Sequence, residues 1–158
     1  MRVLAVRQPW ASLIVEGLKT IEVRSKNTKI NERVLIYSSL GEYTKAQKCM
    51  LHNYFVNLSA HHFLSYPDSR LAIKTLYGGI RGKIIGSVEI KNSFPAIVDD
   101  LQNDFETFNV NYLAPEWMFD YQKKYYFWRL RNNIVFRDPI DFEWGSTGSW
   151  SETELPEV

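Results

Sequence analysis

With 158 residues, 45% of them hydrophobic and 15% aromatic, the chain has apolar material for one core and is short for two. Its formal net charge is only +1, yet residues 1–137 carry a net +7 while residues 138–158 hold six acidic residues and no basic one. The body therefore permits a phosphate-bearing partner without demanding one. A lone cysteine, Cys49, excludes an internal disulfide and a cysteine-rich metal site, and it is expected to be a buried helix residue. No run reaches the roughly 18 apolar residues of a membrane span. Met1 to Arg7 lack a secretory leader, so the expected location is the cytoplasm.

Arg2 to Val6 reads as a first strand. Gln8 to Gly17 follows as a helix, with Pro9 in its first turn, Trp10, Leu13 and Ile14 on one face and Gly17 as a left-handed stop. From Lys19 to Arg24 the pattern has period two, placing Ile21 and Val23 on one face and Thr20, Glu22 and Arg24 on the other. Glu32 to Ser38 is the third expected strand. Two helices are predicted next: Tyr43 to Leu58, with a stripe of Ala46, Met50, Tyr54 and Leu58, and Asp68 to Tyr77, capped by Asp68 and stopped by Gly78 and Gly79. Together they form a helical insertion over about residues 43–77.

Arg81 to Ile90 is a fourth strand, with Gly82 and Gly86 where a curved strand could bend. Residues 93–121 read as irregular, with short helical pieces. Tyr125 to Leu130 and Asn133 to Arg137 are expected to pair as a hairpin about Asn132 and Asn133, with Pro139 ending central pairing. The expected architecture is one α+β domain over residues 1–150: a mixed β-barrel of about six strands with a helix plugging one end. Ser151 to Val158 reads as a loose acidic tail.

The stretch from Gly17 to Arg24 carries the most chemistry. A guanidinium grips phosphate or stacks on a base, a carboxylate accepts from an exocyclic amine, and a lysine supplies a mobile charge. On spacing alone, Glu22 and Arg24 also fit an exposed ion pair of little worth. Aromatic residues at Trp10, Tyr126, Trp128, Trp144 and Trp150 offer either stacking platforms or ordinary core. The Gly/Ser loop from Gly145 to Ser149 reads as a lip over a cleft or as a surface turn. Other signals fail. Gly78 to Ile84 is one residue short of a phosphate loop and lacks its Ser or Thr, and His52, His61 and His62 have no partner at ligand spacing. No cofactor and no metal are expected.

The segment Arg7 to Arg24 resembles the opening signature of the ASCH family, Gln-Pro-aromatic, a helix, then Gly-x-Lys-x-x-Glu-x-Arg, and is especially similar to the form in the eukaryotic activating signal cointegrator. Val34 to Ser39 and Gly82 to Ile90 resemble the family's next strands, so the likeness covers residues 2–39, 80–91 and 125–150. It implies a PUA-like barrel whose cleft holds Lys19, Glu22 and Arg24, with Trp10 at the entrance and Gln8, Ser38 and Trp128 as wall residues. The partner it implies is RNA or a nucleotide-like small molecule. One bacterial branch hydrolyses N4-acetylcytidine with a Thr nucleophile three residues after a Lys; here that position is Glu22, and Thr20 lies two residues before it. Other ASCH proteins resemble ribonucleases in activity. If this chain were a hydrolase, Glu22 would activate water and Lys19 would stabilise negative charge. A third reading is a protein-interaction domain whose basic strand face meets an acidic partner.

Overall fold

The computed structural model describes residues 1–96, 113–120, 122–146 and 148–154. In chain order the elements are β1 (Arg2–Val6), α1 (Trp10–Val15), β2 (Ile21–Arg24), β3 (Arg33–Ser38), α2 (Lys45–Ala60), α3 (Tyr66–Gly78), β4 (Lys83–Pro95), a 3-10 turn (Glu116–Met118), β5 (Tyr126–Asp141) and β6 (Trp150–Glu152). The strands make one six-stranded sheet in the order β2-β5-β4-β3-β1-β6. Among the described residues only the β1–β3 pair is parallel, and α1 and β2 supply the crossover that such a pair requires. The fold is thus α+β with a mixed sheet, as the sequence implies. The sheet does not close: among the described residues no ladder joins β2 to β1 or β6.

Strand alternation sorts the side chains between two cores. Leu4, Val6, Val34 and Ile36 face the helices, where they meet Leu13 and Ile14 of α1, Phe55 and Leu58 of α2 and Leu76 of α3. Val3, Leu35, Tyr37 and Ile84 face the other way and are covered by Phe136, Ile140, Phe142 and Trp144. A third small cluster of Ile21, Ala114 and Phe127, with Phe119 and Tyr125, holds residues 113–120 against one end of the sheet.

α1 is pressed onto the sheet at Gly86. A Cβ there would lie 2.7 Å from Val15 Cγ1 and would collide with the Ile134 carbonyl oxygen. The ladders on both sides of β4 shift register beside this residue, so the expected glycine bend is real. Gly17, at φ +80°, ends α1 in the left-handed conformation.

Several expectations are corrected. Residues 125–137 are not a hairpin: from Tyr126 on they run within one strand, β5, which pairs with β4 along its length and with β2 at its start. Asn132 takes φ 51° at a bulge with one extra residue between the Ser87↔Ile134 and Glu89↔Arg131 pairs, and Asn133 Nδ2 donates to the Val15 carbonyl at 2.7 Å. β5 also continues through Pro139 to Asp141, with Pro139 inside a second bulge on β5 between the Gly86↔Val135 and Ile84↔Ile140 pairs. On α2 the buried positions are Leu51, Tyr54, Phe55 and Leu58, while Met50 is 45% exposed. A strict i+4 repeat drifts by about 40° per step, so Ala46 and Leu58 cannot share a face. Cys49, expected to be buried, lies on the side of α2 opposite those buried positions and is exposed.

α2 is capped by a reciprocal box between Thr44 and Gln47. Ser65, not Asp68, caps α3; its hydroxyl accepts from the Asp68 amide at 3.2 Å, and Asp68 lies in the first turn. Of the acidic tail, Ser151 and Glu152 belong to β6, paired with β1, and residues 155–158 lie outside the described residues. Residues 93–95 of the segment expected to be irregular extend β4, and residues 97–112 and 121 lie outside the described ones. Among the described residues no helix is long and apolar enough to cross a membrane.

Candidate functional site

Where a closed barrel would join β2 to β1, the structure has a cleft of about 370 Å³. Its lining comes from the end of β1 (Ala5, Val6, Arg7), from Trp10, Lys19 and β2 (Glu22, Val23, Arg24), and from Ser39, Ala114, Met118, Phe119 and Tyr125. The local sequence explains the polar floor. After Gly17 the chain reverses, and the Leu18 and Lys19 amides both donate to the Leu13 carbonyl, at 2.9 and 3.0 Å. That fixes Lys19 beneath Trp10, with its Nζ 5.5 Å from the ring centroid. β2 then turns Ile21 toward Phe127 and Ala114 while Glu22 and Arg24 face the cleft.

Glu22 is the hub. Its Oε2 accepts from Arg24 Nε at 3.2 Å and Nη2 at 2.9 Å; its Oε1 lies 3.9 Å from Lys19 Nζ and accepts from the Val23 amide at 3.2 Å. Glu22 and Lys19 are 7% and 3% exposed, so these charges sit in a low-dielectric floor and depend on one another. The exposed surface pair that spacing also allowed is not what the fold builds. Arg24 Nη2 donates further to the Ala5 carbonyl at 2.9 Å, and Nη1 to Ser149 Oγ at 3.1 Å.

Trp10, Lys19, Glu22 and Arg24 are brought together in the cleft; Gln8, Ser38 and Trp128 are not among its lining residues. Gln8 is fully buried, with Nε2 donating to Ser12 Oγ and the Ile80 carbonyl and Oε1 accepting from the Ser12 amide. Ser38 Oγ donates to the same Ile80 carbonyl at 2.5 Å. Gln8 thus ties the first helix, and Ser38 the end of β3, to the loop before β4. Trp128 lies beneath Arg24, its centroid 5.8 Å from the guanidinium carbon; it stacks on Trp150 and donates its Nε1 to the Lys26 carbonyl. Trp144 stacks on Tyr37 on the far face of the sheet. Ser149 bonds Arg24 and gives its carbonyl to the Ala5 amide, so the end of the Gly/Ser loop is anchored beside the cleft.

Sequence reasoning missed Arg7, Tyr43, Ser39, Met118, Phe119 and Tyr125. Arg7 sits directly before the Gln8-Pro9-Trp10 signature, which was the available signal; Met118, Phe119 and Tyr125 reach the cleft only through tertiary packing. Tyr43 Oη accepts from Trp10 Nε1 at 2.8 Å, and Arg7 lies over its ring at 4.7 Å. Burial raises the Tyr43 pKa, against the lowering effects of the Trp10 bond and the Arg7 charge; the Glu22 charge adds to the rise. Among the described residues no three potential metal ligands cluster.

The ASCH domain model matches residues 4–134. A crystal structure of ASCH from Zymomonas mobilis is similar to this chain at 15% identity with a TM-score of 0.57, covering 97% of this chain and 87% of that one. A mutant of the same protein gives a TM-score of 0.58 at 15% identity, with 97% and 89% covered. At that identity the likeness carries the fold alone. Nothing among curated proteins matches the chain.

Proposed function

This chain belongs to the ASCH family, and from that membership we propose that its cleft binds RNA or a modified nucleoside, taking up one unpaired base. The supporting observation is the pairing of a charged floor, Lys19, Glu22 and Arg24, with walls of Trp10, Met118, Phe119 and Tyr125 around about 370 Å³. That volume lies in the range of small-ligand sites, at roughly 300–1,000 Å³, and is far too small for a duplex. An unstacked base finds aromatic faces there and hydrogen-bonding groups for its edge. An ionised carboxylate has about four acceptor positions; Arg24 and the Val23 amide take three of those on Glu22, leaving capacity for an exocyclic amine.

Hydrolysis has less support. Glu22 is engaged by a guanidinium and faces an ammonium, and Thr20 is not among the cleft-lining residues.

The test is direct binding of short single-stranded RNAs, with affinity falling as salt rises through counterion release. Competition between cytidine-rich and other RNAs then measures base preference in the wild type and in Glu22→Gln. Loss of preference supports base reading by Glu22; an unchanged preference removes it.

A further inference from the structure

We propose that Arg7 is the phosphate-recognition residue of this cleft, so that its ligand is a phosphate-bearing nucleotide unit and not a free nucleoside. The inference rests on the binding reading above and names the chemical class that the site takes.

The three cleft cations are not equivalent. Arg24 spends its guanidinium on Glu22, Ala5 and Ser149, and Lys19 lies buried beside Glu22. Arg7 is exposed and lines the cleft, and among the described residues it forms no ion pair with a carboxylate. It is nevertheless held in place. Its guanidinium rests 4.7 Å over the Tyr43 ring, and Tyr43 is itself fixed by the 2.8 Å bond from Trp10 Nε1. On another side is Gly41, where a Cβ would stand 3.2 Å from Arg7 Nε and Nη2, so glycine leaves the guanidinium its space.

A planar cation held over a ring has already lost part of the freedom that binding would otherwise remove. Its donor fork matches two phosphate oxygens at once. The lining residues Arg7, Lys19, Glu22 and Arg24 leave a positive excess, which a neutral nucleoside cannot balance and a phosphate can.

The experiment compares calorimetric affinities of the full chain for the four ribonucleosides, their 5′- and 3′-monophosphates and dinucleoside monophosphates. The monophosphates are expected to bind at least about tenfold more tightly than the nucleosides, the scale of one charged hydrogen-bonding contact. Arg7→Gln should bring that ratio close to one, and Arg7→Lys, which keeps charge without the fork, should leave an intermediate ratio. Tighter binding of the dinucleoside monophosphates would assign the phosphate to an internal RNA linkage, and tighter binding of a monophosphate to a chain end. Nucleoside binding with no phosphate gain, or a gain that survives Arg7→Gln, would overturn the role of Arg7 alone. No binding of any of these or of RNA would overturn both this inference and the reading of the cleft.

Discussion

The Arg24 guanidinium on β2 donates to the carbonyl oxygen of Ala5 on β1 at 2.9 Å, although β5, β4 and β3 lie between those strands in the sheet. Four strand steps of about 4.8 Å would separate them by roughly 19 Å in a flat sheet, beyond the reach of any side chain. The sheet is therefore strongly curled, and an arginine spans the gap that a backbone ladder would fill in a closed barrel. The cleft occupies that same gap, so its floor is also a structural tie.

Arg24→Ala is accordingly expected to destabilise the fold by about 3 kcal/mol, because it leaves the buried Glu22 carboxylate short of its main partner and unties β2 from β1. Urea denaturation measures this. A variant as stable as the wild type would show that the bridge contributes nothing to holding the sheet curled.

Gly86→Ala should cost about 3 kcal/mol through overpacking between β5 and α1. Adding Val15→Ala should recover little, since the Ile134 carbonyl would still obstruct the new methyl group. Full rescue by the second substitution in thermal unfolding would locate the clash in the helix side chain alone.

Tyr43 sets an alkaline limit. Its folded pKa lies above the ordinary value of 10.0, chiefly through burial, so the folded state keeps a proton that the unfolded chain releases. The associated stabilisation is complete below about pH 10 and is lost as pH rises through the folded pKa. Tyr43→Phe cannot ionise there, so its stability should fall less steeply with pH in that window. Parallel slopes for the two proteins, measured by denaturation at several alkaline pH values, would contradict this.

Cys49 is exposed on α2 and should react with a thiol reagent in the native protein at close to the rate seen in denaturant at the same pH. Strong protection in the folded state would place the thiol on the buried side of the helix.

The sequence by itself determined the elements whose information is local. The period-two pattern of Ile21 to Arg24 placed Glu22 and Arg24 on a common face, Gly17 marked the turn that positions Lys19, and Gly86 marked the bend in β4. The long opening signature was enough to identify the family. Tertiary structure decided what depends on strand order and side-chain packing. Asn132 and Asn133 have turn chemistry, yet β2 and β4 pair on both sides of the preceding residues and convert the expected hairpin into a bulge within β5. Gln8 and Ser38 lie next to cleft residues in the chain, but the Ile80 carbonyl draws both into the interior. Arg7 and Tyr43 are 36 positions apart in the sequence, and the parallel pairing of β1 with β3, which brings the segments that follow them to the same end of the sheet, is what lays the guanidinium over the ring. A cleft formed at an unclosed edge depends on how far the sheet curls, and that curvature is a sum over every strand pair.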